Sequence, residues 1–578
     1  MLKKQLQILL IINIFQTLKP ELYFTDHKKS LKKTSWAENT LKKLTLDQKI
    51  GQLFIIAAIS STEQPTETLA TELIACPYNL NKKHIKQAVK EDNVGGIIFL
   101  FKSTPEYQQK LTKKYQALSK LPLFIAQDSE WGLAMRLDLL PNKVIRYPKN
   151  MTLGAIKNTN LIYKLGKEIG KQCLHLGVHI NFAPVVDINN NPNNSVIHDR
   201  SFSDDKNKVA KLANSYAKGL QDVGIIACAK HFPGHGDTNI DSHLELPRLK
   251  HQKKRLENLE IYPFRYLIKN NISAIMIGHL LVEALDKNNS ASLSYNIVTN
   301  YLQKKLNFKG LIITDGLGMK AITKNLAAGQ IALQAFMAGN DILLCPTDLK
   351  AAQKAIKESI LSGIITVKEL DQKVFKILKA KEWALKKETK YTKNNDFLIR
   401  DKAIKLQEEL FDNAITIVNN KNKIKFNQKL IENSSAILIG KLPENIFKNY
   451  LNQTACKVIE QNQVINLQEI YNFIKNYNNK TIIIAIGQIN KIAAERFGID
   501  ENIFKLLDML KEEAKEIILI VFGTPYSLKY FKDTSLLIAA YEDDPAMQKS
   551  AFKLIAGQII AKGELPVKIN LNQINIGS

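Results

Sequence analysis

Eight short apolar runs, each followed by a longer amphipathic stretch, constrain the fold of this chain more than any other feature. The first four are GQLFIIAA from Gly51, VGGIIFL from Val94, LPLFIAQD ending at Asp128 and VHINFAPVVD ending at Asp187. IIACAKHFP from Ile225, AIMIGHL ending at Leu280, GLIITDG from Gly310 and NDILLCP ending at Pro346 complete the set. Near-continuous Val, Ile and Leu runs of this length mark strands buried on both faces, as in parallel sheets. The segments between them have helical spacing; NKVAKLANSYAKGLQDVG, for example, ends in a glycine stop. Strand and helix alternating eight times predict a (β/α)8 TIM-type barrel.

A second pattern follows a charged, apolar-poor link, KKETKYTKNNDFLIRD. Its strands are SAILIG ending at Gly440, KTIIIAIG ending at Gly487, EIILIVFG ending at Gly523 and SLLIAAY ending at Tyr541. They predict a smaller α/β sandwich domain. A chain of 578 residues is too long for one ordinary core. The expected division is an N-terminal extension at 1–35, a catalytic barrel at 36–390, a linker at 391–405 and the second domain at 406–578.

Composition narrows the function classes. The net charge of +26 would suit nucleic acid, an anionic cell-wall polymer or a membrane surface. The lysines, however, are spread from end to end, and no aromatic-interleaved basic patch occurs, so nucleic acid is not the expected partner. The five cysteines are scattered without a CxxC pair, which points to buried free thiols rather than disulfides or zinc ligands. At the N-terminus, two lysines precede an apolar run from Leu6 to Phe15, the n- and h-regions of a secretory signal. Export to the periplasm or beyond is the expectation, with a plain N-terminal helix on a cytoplasmic protein as the alternative. No later segment is long and apolar enough to span a bilayer.

The polar residues fall where a barrel places its chemistry. Asp128, Asp187, Lys230 with His231, His279 and Asp315 all sit at the carboxyl ends of their runs, the catalytic face of such a fold. The stretch KHFPGHGDTNIDSH, residues 230–243, holds three of the ten histidines. His231, His235, Asp237 and His243 offer metal donors, but their spacing matches no zinc motif, and neither a metal nor an organic cofactor is expected. A phosphate cradle built from GHG and Lys230 lacks its strand-and-helix context. Acid/base work fits better: Asp241 and His243 form a D-x-H pair in which the carboxylate orients the ring. Asp315 is the candidate nucleophile opposite that pair.

Four stretches together, KHFPGHGDTNIDSH, LIITDGLGMKAI, NFAPVVDINNNP with HDRSF, and AQDSEWGLAMR, resemble glycoside hydrolase family 3. They are similar to its β-N-acetylhexosaminidase branch, which acts on peptidoglycan fragments. The likeness runs from LTLDQKIGQLF at Leu44 to AGNDILLCP around Asp341, and GELPVKI near the C-terminus is similar to the family's closing strand. This resemblance implies a retaining glycosidase with Asp315 as nucleophile, His243 as acid/base and Asp241 as its orienting partner. It also implies that Asp128, Arg136, Arg200, Lys230 and His231 hold the sugar in the −1 subsite. The implied partner is an N-acetylglucosamine-containing glycan or muropeptide. His235, His279 and Asp187 have a packing role as their alternative.

Two departures stand out. Where members often read DQEGGRVQR, this chain has DSEWGLAMR, placing Leu133 at an arginine position and Trp131 beside the acids. Gly316 follows the nucleophile where many members have a second acid. Three other functions stay open on the sequence alone: a phosphorylase, a β-glucosidase or β-xylosidase, and a non-catalytic cell-wall-binding protein.

Overall fold

The computed structural model describes residues 35–59, 82–140, 142–238, 245–324, 326–386, 395–462, 464–513 and 515–569. The export signal expected at Leu6–Phe15, the pair Asp241 and His243, and the first part of the expected linker lie outside the described residues.

In chain order the first strands are β1 (Phe54–Ala58), β2 (Gly96–Phe99), β3 (Phe124–Gln127), β4 (Ile180–Asn181) and β5 (Ile226–Phe232). Then come β6 (Arg248–Leu249), β7 (Ala274–Ile277), β8 (Leu281–Val282), β9 (Leu311–Thr314) and β10 (Leu343–Leu344). Eight of them form one parallel sheet in the order β10-β1-β2-β3-β4-β5-β7-β9. A parallel bridge between Ile313 and Ile342 joins its two ends and closes the barrel. Each of the eight apolar runs supplies one stave of this ring. Every residue of β1, β2, β3, β5, β7 and β9 is buried, which is why these strands are apolar without alternation. The pair β6–β8 stands apart from the barrel and is too short to leave a periodic signal.

Outer helices brace the strand ends. Those at Thr159–His175 and Lys206–Asp222 start on the side-chain caps of Asn158 and Asp205. They cross closely enough that a Cβ on Gly166 would lie 2.2 Å from the Tyr216 carbonyl. This contact seats Tyr216, which reappears in the site.

A second sheet comprises β11 (Thr416–Asn420), β12 (Ser434–Ile439), β13 (Lys457–Gln461), β14 (Thr481–Ile486), β15 (Glu516–Val521) and β16 (Leu536–Ala539). Its order is β11-β16-β15-β14-β12-β13, parallel except for β11, which runs antiparallel to β16. The four central strands are those expected. The edges β11 and β13 are half-exposed and polar, so their sequences lack an apolar run.

The second sheet rests on the barrel's catalytic face. Glu542, just past β16, accepts hydrogen bonds from the Lys149 backbone N–H and the Thr152 hydroxyl. Met151, Phe497, Tyr526 and Val567 make a small apolar cluster across the boundary. Phe397, in the segment leading to helix Asp401–Ala414, stacks on His175 at 5.1 Å, and Arg400 holds Glu168 at 2.6 Å. GELPVKI, expected as a strand, joins no sheet. Its Pro566 has no N–H, the Pro566 carbonyl takes the Ser203 hydroxyl, and the Lys568 N–H goes to Asp204, so these groups are withdrawn from any ladder. No helix among the described residues is long and apolar enough to cross a membrane.

Candidate active site

The site is built on an extension of β3. Beyond Gln127 the backbone of Ser129 is pinned by Asn181, whose Oδ1 takes the Ser129 N–H at 3.0 Å and whose Nδ2 donates to the Ser129 carbonyl at 3.1 Å. The Tyr216 hydroxyl donates to the carbonyls of Ser129 and Glu130 at 3.1 and 3.0 Å. The chain then turns, with the Gly132 N–H on the Ser129 carbonyl at 3.2 Å. Asp128 and Glu130, on either side of the pinned Ser129, converge on one amine, and the Lys230 Nζ lies 2.8 Å from a carboxylate oxygen of each. Arg200 grips Glu130 as a fork, Nε to Oε2 at 3.0 Å and Nη2 to Oε1 at 2.7 Å. Arg136 reaches Asp128 at 3.2 Å.

The Lys230 and Glu130 side chains are only 3% and 1% exposed, so their charges depend on one another. Burial raises the Asp128 carboxyl, but Lys230 and Arg136 outweigh it and hold the group below its ordinary range. Burial likewise opposes ionisation of Glu130, and Arg200 with Lys230 overcomes it by a wide margin. The amine of Lys230 is stabilised in return: burial lowers it, and Asp128 and Glu130 raise it further.

Lys230 and His231 are neighbours on β5, where the ladder to β7 shifts register between Ala229 and Phe232. That irregularity lets two consecutive side chains serve the site. Asp187 is fully buried and gathers the loop: its carboxylate takes the His231 Nδ1 at 2.8 Å, the His231 N–H at 3.2 Å and the His235 N–H at 2.7 Å. His235 itself bonds Thr238 at 2.8 Å, and Asn194 donates to the His235 and Gly236 carbonyls at 2.8 and 3.0 Å. Burial, reinforced by His231, pushes the His235 imidazole down to about 4. Gly236 is required here because a Cβ would sit 1.7 Å from the Ile188 carbonyl.

Asp315 follows β9. Its N–H donates to the Ile277 carbonyl at 2.9 Å, and its Oδ1 accepts from the Gly316 N–H at 2.8 Å. Following β9 in the parallel barrel, it stands at the same carboxyl end of the sheet as Asp128 after β3. Buried His279 braces this turn, with Nε2 at 2.9 Å from the Gly316 carbonyl and Nδ1 at 2.7 Å from the Ser292 hydroxyl. A carbonyl only accepts, so Nε2 carries the proton and Nδ1 accepts from Ser292.

Of the donors weighed as a metal set, the three among the described residues have other partners. His231 faces Asp187, His235 faces Thr238, and Asp237 lies 2.6 Å from Arg255. Asp237, His251 and Glu260 do gather within 4.8 Å among the described residues, but Arg255 already stands between the two carboxylates, 3.2 Å from Glu260. Cys173, Cys228, Cys345 and Cys456 are buried free thiols.

Of the residues expected in the site, Asp128, Arg136, Arg200 and Lys230 form one ion network. His231 follows Lys230 on β5 and is held by Asp187, and Asp315 stands at the same carboxyl end of the barrel strands. Glu130 was not among the sequence candidates: it lies in a turn past the end of β3, where strand periodicity carries no signal. Asp187 and His279 act as braces for their loops. Leu133, at the family's arginine position, is fully buried, while Trp131 lies under the Lys149 amine at 5.6 Å.

The family model described as "Glycosyl hydrolase family 3 N terminal domain" matches residues 45–380. The chain belongs to glycosyl hydrolase family 3. Within it, the chain is 30% identical over 411 residues to "Beta-hexosaminidase A" of Pseudoalteromonas piscicida, covering 65% of this chain and 68% of that protein. It is 35% identical over 264 residues to a "Beta-hexosaminidase" of Nitrosomonas eutropha, covering 44% and 74%. Its structure resembles a family 3 β-N-acetylglucosaminidase from a Paenibacillus species with a TM-score of 0.75 and 28% identity, over 92% of this chain and 100% of that one. The family 3 barrel and the second domain are thus both present in a solved relative, and the chain is a glycoside hydrolase.

Proposed function

We propose that this family 3 enzyme is a retaining β-N-acetylhexosaminidase that releases terminal N-acetylglucosamine from peptidoglycan-type fragments. Asp315 attacks the anomeric carbon while His243, oriented by Asp241, protonates the leaving oxygen. The resulting neutral imidazole activates the water that resolves the glycosyl-enzyme. Asp128, Arg200 and Lys230, with Arg136 and His231 beside them, hold the sugar hydroxyls. The observation that carries the reading is the buried ion network around Lys230 beside Asp315. Fixed donors and acceptors of both signs, already balanced against one another, suit a neutral polyol whose ring must distort. The names of the hexosaminidase relatives support the choice of sugar. The Leu6–Phe15 pattern supports an exported enzyme, which is where peptidoglycan fragments would be met.

The test is a panel of N-acetylglucosaminyl, glucosyl and xylosyl aryl glycosides, each with and without phosphate. Hydrolysis of the N-acetylglucosaminide without phosphate is the expected result. Turnover that needs phosphate and yields a sugar 1-phosphate, or a preference for the glucoside, would overturn it.

A further inference from the structure

The loop that carries Arg200 is held from outside the barrel. Arg200 ends a single 3-10 turn, His198–Arg200, in the segment after β4. His198, Asp199 and Arg200 are consecutive on this short turn, so anchoring the first two on the domain boundary restricts the backbone that carries the third. Asp199 points away from the sugar site into the domain boundary, where the Lys149 Nζ lies at 2.8 Å and the Lys491 Nζ of the second domain at 2.6 Å. The His198 Nε2 lies 3.2 Å from the hydroxyl of Thr524, and the Tyr526 hydroxyl donates to the Asn189 carbonyl at 3.1 Å. His198 itself has a φ of +28°, a conformation that persists only when the surroundings over-determine it. Those surroundings include Thr524 and Lys491.

We infer that Lys491 is a positioning residue for Arg200: through Asp199 the second domain aims the sugar-binding guanidinium, so both domains build the active site. The inference rests on the reading of Arg200 as a sugar-binding residue. Arg200 keeps its fork on Glu130 from the barrel side, and the carbonyl of Arg200 takes the Asn150 amide at 2.6 Å. The barrel therefore supplies the partner, and the second domain supplies the angle of approach.

The test compares Lys491→Glu with Lys491→Arg in the full chain, on an aryl N-acetylglucosaminide. The Lys491 side chain is 43% exposed, so the substitution disturbs little packing. Placing a carboxylate against Asp199 should raise KM about fivefold or more while kcat changes less, and Lys491→Arg should restore KM. Because the substrate is neutral and the Lys491 amine is half-exposed, KM of the wild type should also rise with ionic strength, and that of Lys491→Glu should not. A lower melting temperature with unchanged KM would overturn the inference, as would a KM rise that Lys491→Arg fails to reverse. Should Lys491→Glu not fold, Thr524→Val must raise KM in its place; an unchanged KM there overturns the inference equally. If the wild type cleaves another glycoside instead of the N-acetylglucosaminide, the proposed sugar is wrong, and the same KM comparison on that glycoside decides the positioning claim separately.

Discussion

Glu130→Gln isolates the ion network with almost no change of shape. The wild-type carboxylate lies between Arg200 and Lys230 with a side-chain exposure of 1%, and both cations lean on it. Removing one partner from a buried ion pair costs about 3–5 kcal/mol, because the remaining charge is left uncompensated. Here the lower end applies, since Asp128 still faces Lys230 and the glutamine carbonyl still accepts one hydrogen bond. A loss of about 3 kcal/mol of unfolding free energy near neutral pH is expected, together with a raised KM. The pH dependence has a definite sign. Glu130 is held below its ordinary value of 4.5, so its contribution is complete above that value and fades as pH falls beneath it. The gap between wild type and variant should therefore narrow on acidification, by about 1.4 kcal/mol in all between neutrality and one pH unit below the ordinary value. Urea unfolding of both proteins across the acid range measures it. A gap under about 1 kcal/mol near neutrality, or one that widens with acid, would refute the reasoning.

Four further outcomes are expected. Asp315→Ala loses nearly all turnover on every substrate, whereas His243→Ala loses about 10²–10⁴-fold only where the leaving group needs a proton. With a nitrophenyl leaving group, azide should rescue His243→Ala, and Asp241→Ala should show a weaker form of the same behaviour; equal losses for good and poor leaving groups would remove His243 from its role. The imidazole of His235, pushed down to about 4, should stay neutral through the whole working range, which NMR of labelled histidine reads directly. Its stability contribution is intact above the ordinary 6.5 and fades as pH falls toward that lowered value. Lys381 is buried against Gln52, and burial pushes its amine down to about 7, so folding costs it a proton at neutral pH; Lys381→Met should raise the unfolding free energy there by about 1–3 kcal/mol, as measured in urea.

How much of this was legible in the sequence follows from where each residue's signal lies. The barrel was, because strands buried on both faces leave continuous apolar runs, and five of the eight ended in polar residues that the catalytic face uses. Asp128, Lys230 and Asp315 were readable for that reason. Glu130 was not: three positions past the end of β3 it reads as loop, and only the turn pinned by Asn181 and Tyr216 brings it to Lys230. Edge strands β11 and β13 carry too little apolar surface to register. The contribution of the second domain left no local trace, since Lys491 sits in an ordinary polar loop 292 residues from the aspartate it holds.

The closure of the barrel has a consequence for how the chain is made. β1 pairs with β10 through Phe54 and Leu343, and the last bridge joins Ile313 to Ile342. A nascent chain therefore carries seven strands with two open edges until the ribosome has released residues near Leu344. Open parallel edges made of Phe, Ile and Leu are templates for pairing with other chains. The ring also joins its most distant strands last, a high contact order that slows folding. Pausing of translation before β10 should accordingly shift the yield toward aggregates.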